Sequence, residues 1–293
     1  MTVTQTNPFD GLPRLAFIIG AQKAGTTFLA GLLDQHPEIC LSTPKEPQFF
    51  TARFDRGLEF YASRFVDPSG SVLLDASTTY TMLRPQEFRH LEASPGNPAP
   101  VPERIHALNP DARLIYVLRD PADRAASAYR HMLRSKTLPS GPVSLMDCLR
   151  EQPIIEIASR YSAQIERYLE FFPIANMHFI PFGDLNARPR ETADACFVFL
   201  GIGPHETTTE MPDKMRNAAF SRTGLGRMAV GLKRRAPKTI RRLNRMLPER
   251  AQGLVGRALR KEGQTIRFAD MDDVRAHFDD EHRKTRDLTG LEI

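Results

Sequence analysis

The chain has 293 residues, of which 41% are hydrophobic, and this size and composition suit one large α/β core and exclude extensive disorder. Its three cysteines are odd in number and widely spaced, which argues against a disulfide framework or a zinc site. The formal net charge of +5 is uneven, since residues 222–261 contain thirteen basic residues and one acid. No apolar run has the length of a membrane span, and the polar N-terminus lacks signal-peptide features, so we expect a cytoplasmic protein without stable membrane insertion.

A short apolar run at residues 15–19 is typical of a buried parallel strand, and from Phe28 apolar residues recur at helical spacing. The loop between Gly20 and Gly25 must therefore turn the chain sharply where an open α/β sheet binds its ligands. Both glycines let the backbone approach a ligand closely, and the N–H groups of residues 25–27 open the helix. This pattern predicts an anion site, most simply a phosphate site.

The spacing of the two glycines equals that of a nucleotide P-loop, but Thr26 stands where a P-loop has lysine, and Lys23 lies inside the loop instead. A glycine loop alone is also compatible with a tight strand-to-helix turn that binds no ligand. Its interpretation therefore depends on the rest of the chain.

The next segment predicts a restrained loop beside the strand ends. Two prolines exclude a regular helix within residues 42–50, so the charged side chains of Lys45 and Glu46 are held in this loop. The predicted elements around it are strands at residues 38–41 and 71–76 and a helix at residues 58–65.

A second strand-to-helix switch follows at residues 112–118, an apolar strand that ends before Arg119. Asp120 is the predicted N-cap of the next helix, and Pro121 occupies its first position. Further predicted elements are helices at residues 145–150, 154–172, 191–200 and 271–288 and a strand at residues 177–181. Alternating strands and helices predict a P-loop-like three-layer α/β/α fold with a central parallel sheet and a helical C-terminal extension.

Three motifs resemble those of one enzyme family. They are Gly-Ala-Gln-Lys-Ala-Gly-Thr-Thr at residues 20–27, Leu-Arg-Asp-Pro-Ala-Asp-Arg-Ala-Ala-Ser at residues 118–127 and Pro-Lys-Glu-Pro-Gln-Phe-Phe at residues 44–50. The first two look like the 5′-phosphosulfate loop and the 3′-phosphate motif of sulfotransferases that use 3′-phosphoadenosine 5′-phosphosulfate (PAPS). The third is similar to the segment after the first helix in heparan-sulfate-type sulfotransferases and their bacterial relatives.

This resemblance implies transfer of a sulfuryl group from PAPS to a hydroxyl or amine of a small-molecule, carbohydrate or lipid acceptor. The product of the donor is then 3′-phosphoadenosine 5′-phosphate (PAP), and no metal is implied. The implied catalytic residues are Glu46 as base and Lys23 as the cation at the transferring group. The residues implied to bind the donor are Gly20, Gln22, Lys23, Ala24, Gly25, Thr26, Thr27, Arg119, Ser127 and Arg222.

The chemistry of these side chains agrees with the implied roles, although each has a structural alternative. Arginine offers a planar fork to a phosphate, but Arg119 also suits a salt bridge at a helix start. Ser127 can donate to the same phosphate or serve as a small packing residue. Glu46 can accept a proton from the acceptor or form a solvated pair with Lys45.

The sequence departs from the heparan-type pattern after the predicted strand at residues 71–76. Several such enzymes have a lysine where this chain has Ala76, which leaves Lys23 as the chief cation at the transferring group and puts a heparan-like acceptor in doubt. Asp75 and Tyr80 are candidates to line the acceptor pocket, although an aspartate at a strand end is also a common turn residue.

Two other function classes remain open on the sequence. A P-loop kinase or NTPase would use residues 72–75 as a strand-borne metal ligand and would require magnesium. A nucleic-acid-binding module would use the basic residues and would bind in a salt-dependent manner. Neither class explains Lys23, Glu46, Arg119 and Ser127 together.

The basic segment, about residues 222–262, is expected to form a subdomain within a single sulfotransferase domain of residues 1–293. Its simplest interpretation is a solvated helical face, and the alternative is a surface that recruits an anionic acceptor, nucleic acid or lipid headgroups. The segment lacks the interleaved aromatic residues of single-strand-binding surfaces, so we expect no nucleic-acid partner.

Overall fold

In the computed structural model, the described residues are 14–66, 68, 70–82, 101–135, 144–209, 220–222, 260–262 and 267–293. The chain divides into two compact units, one of residues 1–129, 143–215 and 269–293 and the other of residues 130–142 and 216–268. The basic segment falls in the second unit, and apart from residues 222 and 260–262 it lies outside the described residues. Its expected role, and the expectation of one domain with this segment as a subdomain, stay predictions.

A five-stranded sheet forms the centre of the first unit. Its strands are β1 Arg14–Gly20, β2 Ile39–Leu41, β3 Val72–Asp75, β4 Arg113–Leu118 and β5 Met177–Pro181. Each strand is parallel to its neighbours, in the order β2-β3-β1-β4-β5. Most side chains of β1, β3 and β4 are buried on both faces, which is why these strands are near-continuous apolar runs in the sequence. The predicted α/β class and parallel sheet are confirmed.

Helices provide the crossovers that parallel strands require. The described helices are α1 Thr26–Leu33, α2 Phe49–Ala52, α3 Gly57–Ala62, α4 Val101–Leu108, α5 Pro121–Ser135, α6 Leu145–Glu151, α7 Pro153–Ile157, α8 Tyr161–Leu169, α9 Phe182–Ala187, α10 Pro189–Leu200 and α11 Met271–Thr289. Helix α1 packs against α10, and α8 packs against α11. The buried carboxylate of Glu281 on α11 accepts the Ser162 N–H at 2.6 Å, so it satisfies the start of α8. None of the helices in the described ranges is both long and apolar enough to cross a membrane.

The second unit contains a short antiparallel pair, β6 Phe220–Arg222 and β7 Arg260–Glu262. Neither strand was predicted, since residues 212–223 were interpreted as a loop and the basic segment after them as short helices.

The predicted single helix at residues 154–172 is divided in the structure. It forms α7 and α8, and the break lies at residues 158–160. Side-chain contacts from a buried arginine explain this break, because Arg124 on α5 donates to the carbonyl oxygen of Ile155 and to Ser159 Oγ. The N-cap prediction for α5 is confirmed, since Asp120 Oδ1 accepts the Asp123 N–H at 2.6 Å.

The order of the strands determines where a ligand can bind. Strand β1 lies between β3 and β4, so the chain passes from one side of β1 to the other between these strands. In open parallel sheets such a point leaves a crevice at the carboxyl ends of the strands. The segments that follow β1, β2, β3 and β4 lie at this edge, and they contain most of the predicted site residues.

Candidate active site

The glycine loop, residues 20–27, joins β1 to α1. The Ala21 N–H donates to the carbonyl oxygen of Val117 at 2.9 Å, which anchors the start of the loop to β4. Lys23 and Gly25 both have a left-handed backbone, with φ of 75° and 81°. A non-glycine residue in this conformation costs about 1–2 kcal/mol, and such strain is concentrated at functional sites. The loop is therefore held in a specific shape in which the first N–H groups of α1 lack helical acceptors.

Both glycines of the loop are required by close packing beneath it. A Cβ atom at Gly20 would lie 2.1 Å from Thr81 Oγ1, and one at Gly25 would lie 3.0 Å from the ring of Phe182. Glycine at these positions therefore lets the loop lie directly on the sheet and on α9. The tight-turn interpretation accounts for this packing, but it does not account for the cations described next.

Arg119, at the end of β4, is tied to the glycine loop. Its Nη1 donates to the carbonyl oxygen of Lys23 at 3.2 Å, and its guanidinium carbon lies 4.8 Å from the centre of the Phe182 ring. Phe182 thus supports both Gly25 and Arg119, which the sequence did not indicate. Arg119 remains partly exposed, as does Ser127 two turns into α5. Both side chains can therefore reach a ligand, and their contact with a 3′-phosphate stays a prediction.

Arg124 is a second arginine at the loop that sequence reasoning missed. It is completely buried, and its Nη1 lies 3.4 Å from the carbonyl oxygen of Gln22. Burial lowers the pKa of Arg124, while the nearby Tyr161 and Tyr116 raise it. A signal was present in the sequence, because Arg124 stands on the apolar face of α5 that buries its alanines. Together, Arg119 and Arg124 bond two carbonyl groups of the glycine loop and place positive charge beside it.

The glutamate loop, residues 42–50, runs beside the end of β3. The carbonyl oxygen of Lys45 accepts the Ala76 N–H at 3.2 Å and the Ser42 hydroxyl at 3.1 Å. Lys45 Nζ lies 2.9 Å from Glu46 Oε1, and the Glu46 side chain is 32% exposed. The pairing expected under the structural alternative is therefore present. It leaves Glu46 with enough exposed surface to meet a substrate.

Asp75 and Tyr80 do not lie at a surface. Both are completely buried, and Asp75 Oδ2 accepts the hydroxyl groups of Tyr80 at 2.8 Å and Tyr61 at 3.0 Å. Burial raises the pKa of Asp75 to about 6, and hydrogen bonds from Ser77, Tyr80 and Tyr61 partly offset this effect. In this conformation neither side chain has surface for an acceptor. Their predicted place in the lining of the acceptor pocket is corrected to a place beneath the glutamate loop.

The structure brings most of the predicted site together at one edge of the sheet. Glu46 follows β2, Lys23 follows β1 and Arg119 follows β4, and these strands lie within the run β2-β3-β1-β4 of the sheet. The three residues therefore lie at the same edge, with the glutamate loop bonded to the end of β3 next to β1. Arg222 lies in β6 of the second unit, and its predicted contact with the donor is outside what the structure describes. Within the described ranges, no three His, Cys, Asp or Glu side chains are grouped as metal ligands.

Comparison with known proteins identifies the family to which this arrangement belongs. The family model described as "Sulfotransferase domain" matches residues 13–223. Bifunctional heparan sulfate N-deacetylase/N-sulfotransferase 3 of Mus musculus is 29% identical over 218 residues, which are 69% of this chain and 24% of that protein. Heparan sulfate glucosamine 3-O-sulfotransferase 6 of Homo sapiens is 31% identical over 203 residues, which are 64% of this chain and 52% of that protein.

The chain thus spans about a quarter to a half of the length of these relatives. Among solved structures, a sulfotransferase from Alicyclobacillus acidocaldarius is similar with a TM-score of 0.50 and 26% identity, covering 75% of this chain and 92% of that one. The family match covers more than half of the 293 residues and includes all three motifs. It confirms the resemblance inferred from those motifs and disfavours the kinase alternative: the chain belongs to the sulfotransferase family.

Proposed function

We propose that the protein transfers a sulfuryl group from PAPS to a hydroxyl or amine of an acceptor. The observation that supports this most strongly is the meeting of two different loops at one sheet edge. The glycine loop offers amide donors and cations to an anionic donor substrate, whereas the glutamate loop offers a partly exposed carboxylate to a proton-bearing acceptor.

The residues of the glycine loop fit the charge of PAPS. The donor has a 5′-phosphosulfate and a 3′-phosphate, and both groups need cations and hydrogen-bond donors. The positions with left-handed backbone, Lys23 and Gly25, shape a loop that leads into the start of α1. Arg119 at the end of β4 and Ser127 on α5 would hold the 3′-phosphate, as the family motif implies.

Glu46 and Lys23 would handle the proton and the charge that this transfer moves. The acceptor oxygen or nitrogen attacks sulfur, and the bond between sulfur and the bridging phosphate oxygen breaks. Glu46 takes the proton that the acceptor loses, and PAP departs with the bonding electrons. Lys23 would neutralise the charge that develops on the bridging oxygen, which is the role that cations commonly serve in such transfers.

For the acceptor, a carbohydrate is one candidate class, because the names of the relatives refer to heparan sulfate. Ala76, which stands where several heparan-type enzymes have lysine, is the reason to keep small-molecule and lipid acceptors in the proposal. The expected location in the cytoplasm also stays a prediction.

The test is sulfuryl transfer from radiolabelled PAPS in excess EDTA to a panel of acceptors. The panel contains a de-N-sulfated heparan polysaccharide, a glucosamine glycoside and a phenol, and radiolabelled ATP with magnesium serves as control. We expect label to move from PAPS without metal and no phosphoryl transfer from ATP. Phosphoryl transfer that depends on magnesium would contradict the proposal.

A further inference from the structure

The side chain of Asp75 lies at the end of β3 and is completely buried beneath the glutamate loop. Four donors surround its carboxylate. The hydroxyl groups of Tyr61 and Tyr80 reach Oδ2, the Ser77 N–H reaches Oδ1 at 3.0 Å, and the Ser77 side chain also bonds the carboxylate. An acceptor-only group with this many donors is best satisfied when it is ionised.

Two of these donors also contact the backbone of the glutamate loop. Ser77 Oγ accepts the Gln48 N–H at 2.9 Å, and the Tyr80 hydroxyl accepts the Phe50 N–H at 3.4 Å. The carboxylate therefore orients two hydroxyl groups so that their oxygen lone pairs face the loop. Tyr61 differs from Tyr80 in position: its hydroxyl donates to Asp75 from α3, and its ring stacks on Phe49 of the loop.

The loop needs such support because part of it is strained. Gln48 has a left-handed backbone with φ of 53°, although it is not glycine. This conformation persists only where surrounding contacts determine it. The bonds at Gln48 and Phe50 flank the turn that begins two residues after Glu46.

We propose that Asp75 is a positioning residue, which holds the glutamate loop through Tyr80 and Ser77 and thereby fixes Glu46 at the crevice. This inference rests on the proposed function of Glu46 as base. It assigns to the buried carboxylate a role in the rate of transfer and none in binding of the donor, because Tyr80 and Ser77 lead from Asp75 to the backbone of the glutamate loop.

The two tyrosines provide a matched pair of variants. Tyr80→Phe and Tyr61→Phe each remove one hydroxyl from Asp75 Oδ2, and each keeps a buried ring with its aromatic contacts. Only Tyr80→Phe also removes the acceptor of the Phe50 N–H. A role in stability alone would make the two variants similar.

The experiment measures amide hydrogen exchange of residues 45–50 by NMR, PAP affinity by calorimetry, and kcat and KM with the best acceptor of the panel. In Tyr80→Phe we expect exchange in the glutamate loop to be ~10-fold faster and kcat ~10-fold lower, the scale of one lost buried hydrogen bond, with KM and PAP affinity within about twofold of wild type. In Tyr61→Phe we expect both changes to stay below about threefold.

Equal effects of the two variants, or unchanged loop exchange in Tyr80→Phe, would overturn the proposal. The exchange measurement does not depend on an acceptor or on PAPS. Failure of the wild type to bind PAP would therefore count against the proposed function. The difference in amide exchange between Tyr80→Phe and Tyr61→Phe would still decide whether Asp75 holds the loop.

Discussion

The glycine loop and the glutamate loop lie at the same sheet edge but are held by opposite chemistry. Two arginines support the glycine loop, and they bond the carbonyl oxygens of Lys23 and Gln22. A buried carboxylate supports the glutamate loop through hydroxyl groups. Cations that bind carbonyl groups leave positive charge and amide donors for an anion, whereas a buried acid adds negative charge beside a proton acceptor. The charge of the support thus matches the substrate that each loop is proposed to meet.

The largest effect is expected from the lysines of the two loops. Lys23→Met should lower the rate of sulfuryl transfer by ~10²–10³-fold, because the cation that stabilises the developing negative charge is lost. Lys45→Met, the matched change in the glutamate loop, should lower it by less than ~10-fold, since the Lys45–Glu46 pair is partly exposed. Steady-state transfer assays with PAPS check both values. A larger loss in Lys45→Met would reverse the assignment of the two loops.

The next prediction concerns Asp75 beneath the glutamate loop and how it makes the free energy of unfolding depend on pH. The pKa of Asp75 is raised by burial from 3.8 to about 6 in the folded state, so the native protein keeps this proton where the unfolded chain releases it. Stability from this group therefore falls as pH rises from about 4 to about 6, by at most ~3 kcal/mol. The titratable groups that face Asp75 are Tyr61 on α3, Tyr80, and Tyr168 on α8, and the pKa of each is raised by burial and by the Asp75 charge.

Urea denaturation of wild type and Asp75→Asn between pH 4 and 7 checks this sign. The stability of wild type relative to the variant should decrease as pH rises. Asp270 gives a control of opposite sign: burial raises its pKa, but hydrogen bonds from Met146, Leu145 and Ser144 lower it overall. The stability of wild type relative to Asp270→Asn should increase as pH rises through the acid range. A constant difference for Asp75→Asn would refute the raised pKa of the buried carboxyl group.

The smallest expected effect is the loss of stability caused by crowding at Gly25, which can be separated from the cost of its left-handed backbone. Gly25 and Gly290 both have a left-handed backbone, with φ of 81° and 71°, but of the two only Gly25 has neighbours within 4 Å of the place that a Cβ atom would occupy. Alanine at either position should cost about 1–2 kcal/mol for the left-handed backbone. Gly25→Ala should cost a further ~1–2 kcal/mol, because Phe182 and Leu185 must move. Denaturation curves measure both, and equal losses would show that the packing beneath the glycine loop is loose.

The sequence was sufficient to predict the structural elements that have local patterns. The strand at residues 15–19, the glycine loop and Asp120 as an N-cap depend on neighbouring residues, and the structure has all three as predicted. Glu46 and Arg119 could be proposed from the sequence because each lies in a motif that is continuous in the chain, and their roles stay predictions.

The supports of the site were not predictable in this way, because they join residues that are far apart in sequence. Phe182 contacts Arg119, and Arg124 contacts Gln22, and in each pair a long stretch of chain separates the two residues. Asp75 was assigned to the acceptor pocket from its position at a strand end. The fold buries it instead, because the aromatic rings of α2 and α3 cover this end of β3.

The most direct test of sulfuryl-donor binding at this crevice is calorimetric titration of PAP in EDTA against wild type and Arg119→Ala, with ADP as the control that lacks the 3′-phosphate. We predict that wild type binds PAP with micromolar affinity and binds ADP much more weakly, and that Arg119→Ala binds PAP ~100-fold more weakly than wild type because a charge-assisted pair is lost. Equal affinity for PAP and ADP, or unchanged PAP affinity in Arg119→Ala, would contradict the assignment of this crevice to the sulfuryl donor.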